Sequence, residues 1–464
     1  MTEYRNILKD SGLFAIGSLG SKVITFLFVP LYTYCLSTSE YGTADLITVT
    51  SSLLFPVLTL SISEAVLRFC YQKETNKEDI FNVLLKFNIN ATIINVAISL
   101  IVSCFIPDIK PYLVYYIAIF SLTSLEGGLA NYLKGCEKIK QFAIQGIVHT
   151  IILVGSNLLF LLVFNLGLSG YLISMILASF VTIIYIYVTC SLNKYSINLT
   201  LPKTLVSEML RYSLPLVPAG MAWWINISAD KFMITSMIGV ADNGIYSVAH
   251  KIPSLLTTIT AFFTSAWQIS AMKNIGKSNY NELFTNVFKS VNCTLEIGCA
   301  MVIVVCQLLS KILFQNDYYV AWECVPLLTL SACFSVIAGT LASAYTASKS
   351  TKILFVSTCM GAIVNIVANI FLIKLLGIIG AAISTCLSFF VMIIIRYVIM
   401  NRVLLKLDIN LWKDIIAFSI LFFESLFVVY YQNYFYHITT ISLIIVLLIN
   451  AKFVVKLLKK IRTI

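Results

Sequence analysis

Eight ionisable side chains lie well inside long apolar runs of this chain: Lys22, Asp45, Glu126, Asp230, Lys231, Lys251, Glu296 and Glu424. A charge at the centre of a membrane helix costs roughly 2.5–3.5 kcal/mol on an insertion scale. Eight of them facing lipid would cost about 20 kcal/mol or more, which exceeds the roughly 5–15 kcal/mol net stability of a folded domain. Most must therefore pair or border water. Lysines bordering water suit a pyrophosphate, because a compact ammonium attracts a doubly anionic group, and carboxylates suit proton or sodium coupling. Lys22, Lys231 and Lys251 are thus candidates for substrate contact, against structural pairing such as Lys231 with Asp45. Asp45, Glu126, Asp230, Glu296 and Glu424 are candidates for ion coupling or for pairing across a cavity.

His250, next to Lys251, and His149 are placed either to titrate near neutral pH or to pack through a hydrogen bond. Trp224 and Trp267 offer rings for stacking on sugars or for packing between helices. No phosphate-cradling glycine loop, paired-histidine motif or nucleophile elbow occurs, and the twelve cysteines form no CxxC pair. The expectation is a protein that is not an enzyme, with no resident cofactor or metal. Its work would be driven by an ion gradient (H+ or Na+), the membrane potential or a partner.

These residues sit in a chain of 464 residues that is 59% hydrophobic and 11% charged. Such a composition excludes a large soluble catalytic domain. Apolar runs of spanning length lie near 12–35, 42–65, 81–106, 112–133, 142–165, 169–190, 212–239, 243–271, 285–312, 325–347, 353–374, 377–400, 413–431 and 435–455. The expected fold is an all-α integral membrane protein with fourteen transmembrane helices. An even number puts both termini on one side, and that side holds 24 of the lysines and arginines against Lys110, Lys311 and Lys374 on the other. The termini are therefore expected in the cytoplasm, and the +11 net charge reflects loops and not a nucleic-acid partner. Tyr32, Tyr34, Tyr41, Tyr112, Tyr318, Trp322, Tyr430 and Tyr434 gather at the opposite boundary, as an interfacial aromatic belt does. On these depths Lys22, Glu126 and Glu296 fall near mid-membrane, and Asp45, Asp230, Lys231 and Lys251 in the outer half.

The chain also matches itself. At an offset of about 202, Leu8, Ser11, Gly42 and Ser52 meet Leu210, Ser213, Gly244 and Ser254; further on, Asn157, Gly167 and Gly170 meet Asn369, Gly377 and Gly380. The expected organisation is a six-helix lobe over 1–200, a second six-helix lobe over 201–402, and an appendix of helices thirteen and fourteen with a basic tail over 403–464. Six helices per lobe give both lobes the same orientation. Two parallel lobes around a central cavity are the architecture of alternating-access transporters. Gly17, Gly20, Pro30, Pro215, Pro218 and Pro253 are candidate bending points, against ordinary packing roles. Lys22 and Asp45 fall opposite Trp224 and Ser247 in the repeat, so those charges break the internal symmetry.

Several segments resemble Wzx-type oligosaccharide flippases of the multidrug/oligosaccharidyl-lipid/polysaccharide (MOP) exporter superfamily. They are Ser37-Thr38-Ser39-Glu40-Tyr41-Gly42, Asn226-Ile227-Ser228-Ala229-Asp230-Lys231-Phe232, Gly244-Ile245-Tyr246-Ser247-Val248-Ala249-His250-Lys251-Ile252-Pro253, and Val364-Asn365-Ile366 with Asn369 and Gly377-Ile378-Ile379-Gly380-Ala381-Ala382. Where tyrosine commonly precedes the lysine of the third segment, this chain has His250. The resemblance implies a multi-pass protein of the bacterial plasma membrane that moves undecaprenyl-pyrophosphate-linked oligosaccharide repeat units from the inner to the outer leaflet. Such units feed O-antigen, capsule or related polysaccharide synthesis. A polysaccharide polymerase and a chain-length regulator would then be partners. The alternatives are a drug or cation exporter of the same superfamily and a membrane glycan polymerase; short outer connections nearly free of basic residues speak against the polymerase.

Overall fold

A computed structural model describes residues 20–72, 75–197, 201–348, 350–405, 407, 411–451, 453 and 455. The repeat matches at Leu8 and Ser11, the bending candidate Gly17 and most of the basic C-terminal tail lie outside the described residues. Every regular element among the described residues is helical. Among the described residues nine helices are long and apolar enough to cross a membrane, counting one helix of 53 residues once. This is an all-α integral membrane protein that crosses the bilayer many times.

The chain divides into two compact units, Met1–Trp224 and Ile225–Ile464. In the first, a helical stretch over 20–27 runs past Phe28 into α1 (Val29–Cys35); α2 (Thr38–Leu58), α3 (Ile62–Cys70), α4 (Lys77–Phe105), α5 (Leu113–Gly135), α6 (Ile139–Asn157), α7 (Gly167–Thr189) and α8 (Lys203–Ser213) follow. Its core is an apolar cluster in which Ile62, Val66 and Phe69 of α3 meet Ile80, Phe81 and Leu84 of α4, Leu129 and Leu133 of α5, and Met209 of α8. α8 is a short amphipathic helix, too short to span a bilayer: it places Met209 in this core and leaves Lys203, Thr204 and Arg211 to the surface. The expected span over 42–65 is interrupted. Leu60 and Ser61 take left-handed backbone (φ 53° and 52°), and the chain restarts there as α3.

The second unit contains most of α9 (Leu216–Met237), then α10 (Val240–Ala249), α11 (Lys251–Asn274), α12 (Tyr280–Leu313), α13 (Val325–Ala347), α14 (Thr351–Val403), α15 (Leu411–Tyr430) and α16 (Phe435–Ile449). At 1.5 Å per residue, the 53 residues of α14 would run about 80 Å, more than twice a bilayer's hydrocarbon depth. Gly377 breaks it, with φ 60° and ψ −138°, a conformation that glycine adopts without a Cβ penalty. Two spans result, at the positions expected from 353–374 and 377–400.

The glycines paired by the internal repeat do the same backbone work in each unit. Gly167 has φ 53° and Gly377 φ 60°. Three residues on, a Cβ placed on Gly170 would sit 2.9 Å from the Leu166 Cβ, and one on Gly380 would sit 2.0 Å from the Leu372 carbonyl oxygen. Each glycine lets a helix start against the end of the preceding one. Gly380→Ala should destabilise the protein by about 2–3 kcal/mol, because backbone has to move. Gly170→Ala should cost less, and melting curves of the two purified variants decide it.

The bending candidates mostly lie at helix starts. Pro30 is the second residue of α1, Pro218 the third of α9 and Pro253 the third of α11, each just past a short interruption of the helical chain, at Phe28, at Leu214 and Pro215, and at His250. They therefore mark where one run of helix gives way to the next.

Candidate functional site

The Ser37–Gly42 segment builds a helix start. Ser37 caps α2 by accepting from the Glu40 N–H at 3.3 Å, and the Glu40 carboxylate accepts from the Ser37 N–H at 2.8 Å, a reciprocal capping box. The same carboxylate also accepts from the Leu168 N–H at 3.4 Å, which ties the start of α2 to the start of α7. Tyr41 is buried against the ring of Tyr171 at 6.1 Å. Glu40→Ala should therefore cost about 1–2 kcal/mol of stability, measurable as a lower melting temperature. This motif positions helices and carries no chemistry of its own.

The other segments converge on Asp230, which α9 presents four residues after Asn226 and hence on the same face. Asp230 is 1% exposed and its carboxylate accepts three hydrogen bonds: from the Tyr246 hydroxyl at 2.6 Å, from the Thr385 hydroxyl at 3.3 Å and from the Lys231 N–H at 3.0 Å. Tyr246 belongs to the Gly244–Pro253 segment, and Thr385 follows the Gly377–Ala382 segment one turn into the restarted half of α14. His250 lies edge-on to the Tyr246 ring at 4.8 Å, which joins it to the same cluster. Lys231 and Lys251 flank the cluster in sequence and are half-buried.

One turn from Asp230, Asn226 donates to the Thr358 carbonyl at 3.0 Å and accepts from Ser388 at 3.3 Å. Further along the same face of α14, Arg396 is 3% exposed. It donates to Ser357 at 2.9 Å, to the Ala338 carbonyl at 2.8 Å and to Thr358 at 3.0 Å. The structure makes Arg396 an interior brace between α13 and the two halves of α14 and not one of the loop cations on the basic side. The signal was its position inside the expected span 377–400. A buried polar ladder, Asp230–Asn226–Arg396, thus stitches α9 to α14, with nearly every donor and acceptor satisfied by a neighbour.

The remaining candidates are placed as follows. In the first unit, Glu126 pairs with His149, Oε1 to Nδ1, at 2.9 Å, a partner that the spacing of 23 residues gave no sign of. Asp45 is half-buried on α2, Lys22 is exposed on the stretch over 20–27, and the Trp224 indole donates to the Ser52 hydroxyl at 3.0 Å. In the second unit, Trp267 is buried, donates to Ser343 at 2.9 Å and meets the Phe284 ring at 5.6 Å. Glu296 and Glu424 are buried on α12 and α15. The structure brings Asp230, Lys231, His250 and Lys251 into one neighbourhood, while Glu296 and Glu424 lie on other helices of the same unit and Trp267 lies 16 residues along α11 from Lys251. Among the described residues no group of three or more histidine, cysteine, aspartate or glutamate side chains could hold a metal ion, and all twelve cysteines are free.

Solved structures share this helical membrane fold. Over 96% of this chain and 99% of the other, the fold matches the lipid II flippase MurJ in an inward closed conformation, with a TM-score of 0.70 at 17% identity. It also matches an inward-facing multidrug resistance MATE family transporter of the MOP superfamily over 84% of this chain and 98% of that one, with a TM-score of 0.64 at 13% identity. An uncharacterized membrane protein of Methanocaldococcus jannaschii is 22% identical over 82% of this chain and 95% of its own length. The fold is that of the flippases and transporters of the MOP superfamily. By sequence the chain belongs to the polysaccharide biosynthesis protein family, whose profile matches residues 7–268.

Proposed function

We propose that this protein moves undecaprenyl-pyrophosphate-linked oligosaccharide repeat units from the inner to the outer leaflet of the bacterial plasma membrane, by ion-coupled alternating access, for O-antigen, capsule or related surface polysaccharide. The observation that carries this reading is membership of the polysaccharide biosynthesis family in a chain folded as a flippase. Lys22, Lys231 and Lys251 receive the pyrophosphate, with His250, Trp224 and Trp267 near the sugars. Asp230, with Asp45, Glu126, Glu296 and Glu424, answers to the coupling ion, H+ or Na+. Both termini face the cytoplasm, and a polysaccharide polymerase and chain-length regulator take over the product. Only a difference in affinity between two states can move such an equilibrium, so the ion and the glycan must each favour one of them.

The purified full-length protein in proteoliposomes, supplied with a lipid-linked glycan, should transfer it between leaflets when an ion gradient is imposed. An intact, folded sample that transfers none would remove the proposal. The MATE likeness supports a second reading, a drug or cation exporter. That reading predicts drug hypersensitivity on gene deletion with the surface glycan intact, whereas the flippase reading predicts loss of the glycan.

A further inference from the structure

A second buried polar cluster lies in the second unit, where the helices beyond α14 join α12. Glu296 of α12 is fully buried, Asp414 of α15 is 8% exposed, and Asn292 and Asn450 between them are buried too. Asn450, just past α16, donates to Glu296 Oε2 at 2.7 Å, and Asn292 donates to Asp414 Oδ2 at 2.8 Å. Lys413 Nζ donates to Asn450 Oδ1 at 2.7 Å and to Cys293 Sγ at 3.4 Å. Asn292 and Glu296 stand one turn apart on α12, so the Asn292–Asp414 bond sets the two carboxyl groups in one cluster. Glu296 Oε1 is buried and, among the described residues, receives no hydrogen from any amide, hydroxyl or ammonium group.

The amide donors therefore satisfy Glu296 Oε2 and Asp414 Oδ2 and leave Glu296 Oε1 buried without a donor. Two ionised carboxylates in contact away from water repel strongly, and a carboxylic acid beside a carboxylate forms a strong O–H···O bond instead. The charge count agrees. Among the described residues, two carboxylates and the Lys413 ammonium leave one negative charge at a largely buried junction, and Lys289 of α12 is exposed to screening. From α13, the Cys333 thiol is directed to the Leu295 carbonyl and not to the carboxyl groups. Lys452 lies outside the described residues. A buried charge needs one neutralising partner, and a single proton between the carboxyl groups both balances the charge and supplies the missing donor.

We propose that Glu296 and Asp414 share one proton, which makes the junction of α12, α15 and the end of α16 a single-proton binding site that fastens the two C-terminal helices to the rest of the unit. The proton bridges one carboxyl oxygen of each residue, with Lys413 balancing the remaining negative charge. This rests on the junction itself and not on what the protein transports.

Dicyclohexylcarbodiimide reacts with protonated carboxyl groups in apolar surroundings, so it is the probe. The full-length protein in detergent is treated at neutral pH and the adducts on Glu296 and Asp414 are located by peptide mass spectrometry. Wild type should carry one adduct shared between the two positions. In Glu296→Gln the surviving Asp414, and in Asp414→Asn the surviving Glu296, is left with Lys413 as its countercharge, ionises, and should lose labelling by roughly tenfold or more. If the amide variants do not fold, Lys413→Gln gives a second test: with the countercharge gone, both carboxyl groups should protonate and both should label. Survivors that label like wild type would overturn the shared proton, since each group would then be neutral on its own. A folded wild type with no adduct would overturn it too, as would labelling that millimolar sodium suppresses at constant pH. Transport is not read in any arm, so failure here leaves the proposed function standing.

Discussion

Asp230→Ala should abolish glycan export and destabilise the protein, while Asp230→Asn should separate the two effects. Alanine removes the acceptor of three hydrogen bonds from a fully buried position and strands the Tyr246 and Thr385 hydroxyls and the Lys231 N–H. Unsatisfied buried donors cost about 1–3 kcal/mol each before relaxation, so a net loss of about 3 kcal/mol is expected. Asparagine keeps one carbonyl oxygen for the two hydroxyls and turns an N–H2 toward the Lys231 N–H, which limits the loss to about 1–2 kcal/mol. It also removes the negative charge. Export measured as surface glycan in a deletion strain, alongside membrane protein level and melting temperature, distinguishes the roles. If Asp230→Asn exports normally at a normal level, the carboxylate serves only to hold α9, α10 and α14 together.

The lysines are expected to show the opposite pattern, a large loss of export with little loss of stability. Lys22 is exposed, and Lys231 and Lys251 are half-buried, so truncating them leaves no buried cavity. A unit charge pair at 4 Å is worth about 4 kcal/mol at an effective dielectric constant near 20. Solvation of a partly exposed ammonium takes most of that, which leaves roughly a tenfold drop in export for each of Lys22→Ala, Lys231→Ala and Lys251→Ala. Arginine at the same positions should restore part of it by keeping the charge, though its planar head is a poorer match for a site shaped around an ammonium. Export at the wild-type rate by all three alanine variants, at normal protein level, would mean that the pyrophosphate is held elsewhere.

Much of this architecture is legible in one dimension because oil dictates it. Spans must be apolar for about 20 residues, so the chain's runs coincide with its long helices, and the expected division of 353–400 appears as the break at Gly377. Two features escaped that reading for definite reasons. α8 is amphipathic and short, with too little mean hydropathy to register as a span, and it is held by Met209 against α3, α4 and α5. The break at Leu60 and Ser61 uses left-handed backbone at residues that are neither glycine nor asparagine, so no residue type announces it.

The candidate site was legible as a set of residues and not as a set of partners. Depth in an apolar run marks Asp230, Glu126 and Glu296 as costly, and cost implies a partner. What that partner is depends on packing between helices far apart in sequence: Thr385 for Asp230 across 155 residues, His149 for Glu126, and Asn450 for Glu296 across 154 residues. Arg396 shows the same division from the other side. Counted along the chain it is a loop cation near the end of a span, and only the closeness of Ala338, Ser357 and Thr358 turns it into a satisfied interior brace.

By itself, then, the amino-acid order determined that this chain lies in a membrane, where most of its helices begin and end, that its glycines recur in two halves, and which polar groups would be too expensive to leave facing lipid. Those properties follow from the energy of transferring each residue out of water, which is local and nearly additive. The tertiary structure alone decided that Tyr246 and Thr385 meet at Asp230, that Glu40 latches α2 to α7, and that Asn450 and Asn292 gather the carboxyl groups of α12 and α15 into one buried cluster. Contacts of that kind are set by the packing of whole helices, which no short window of sequence contains.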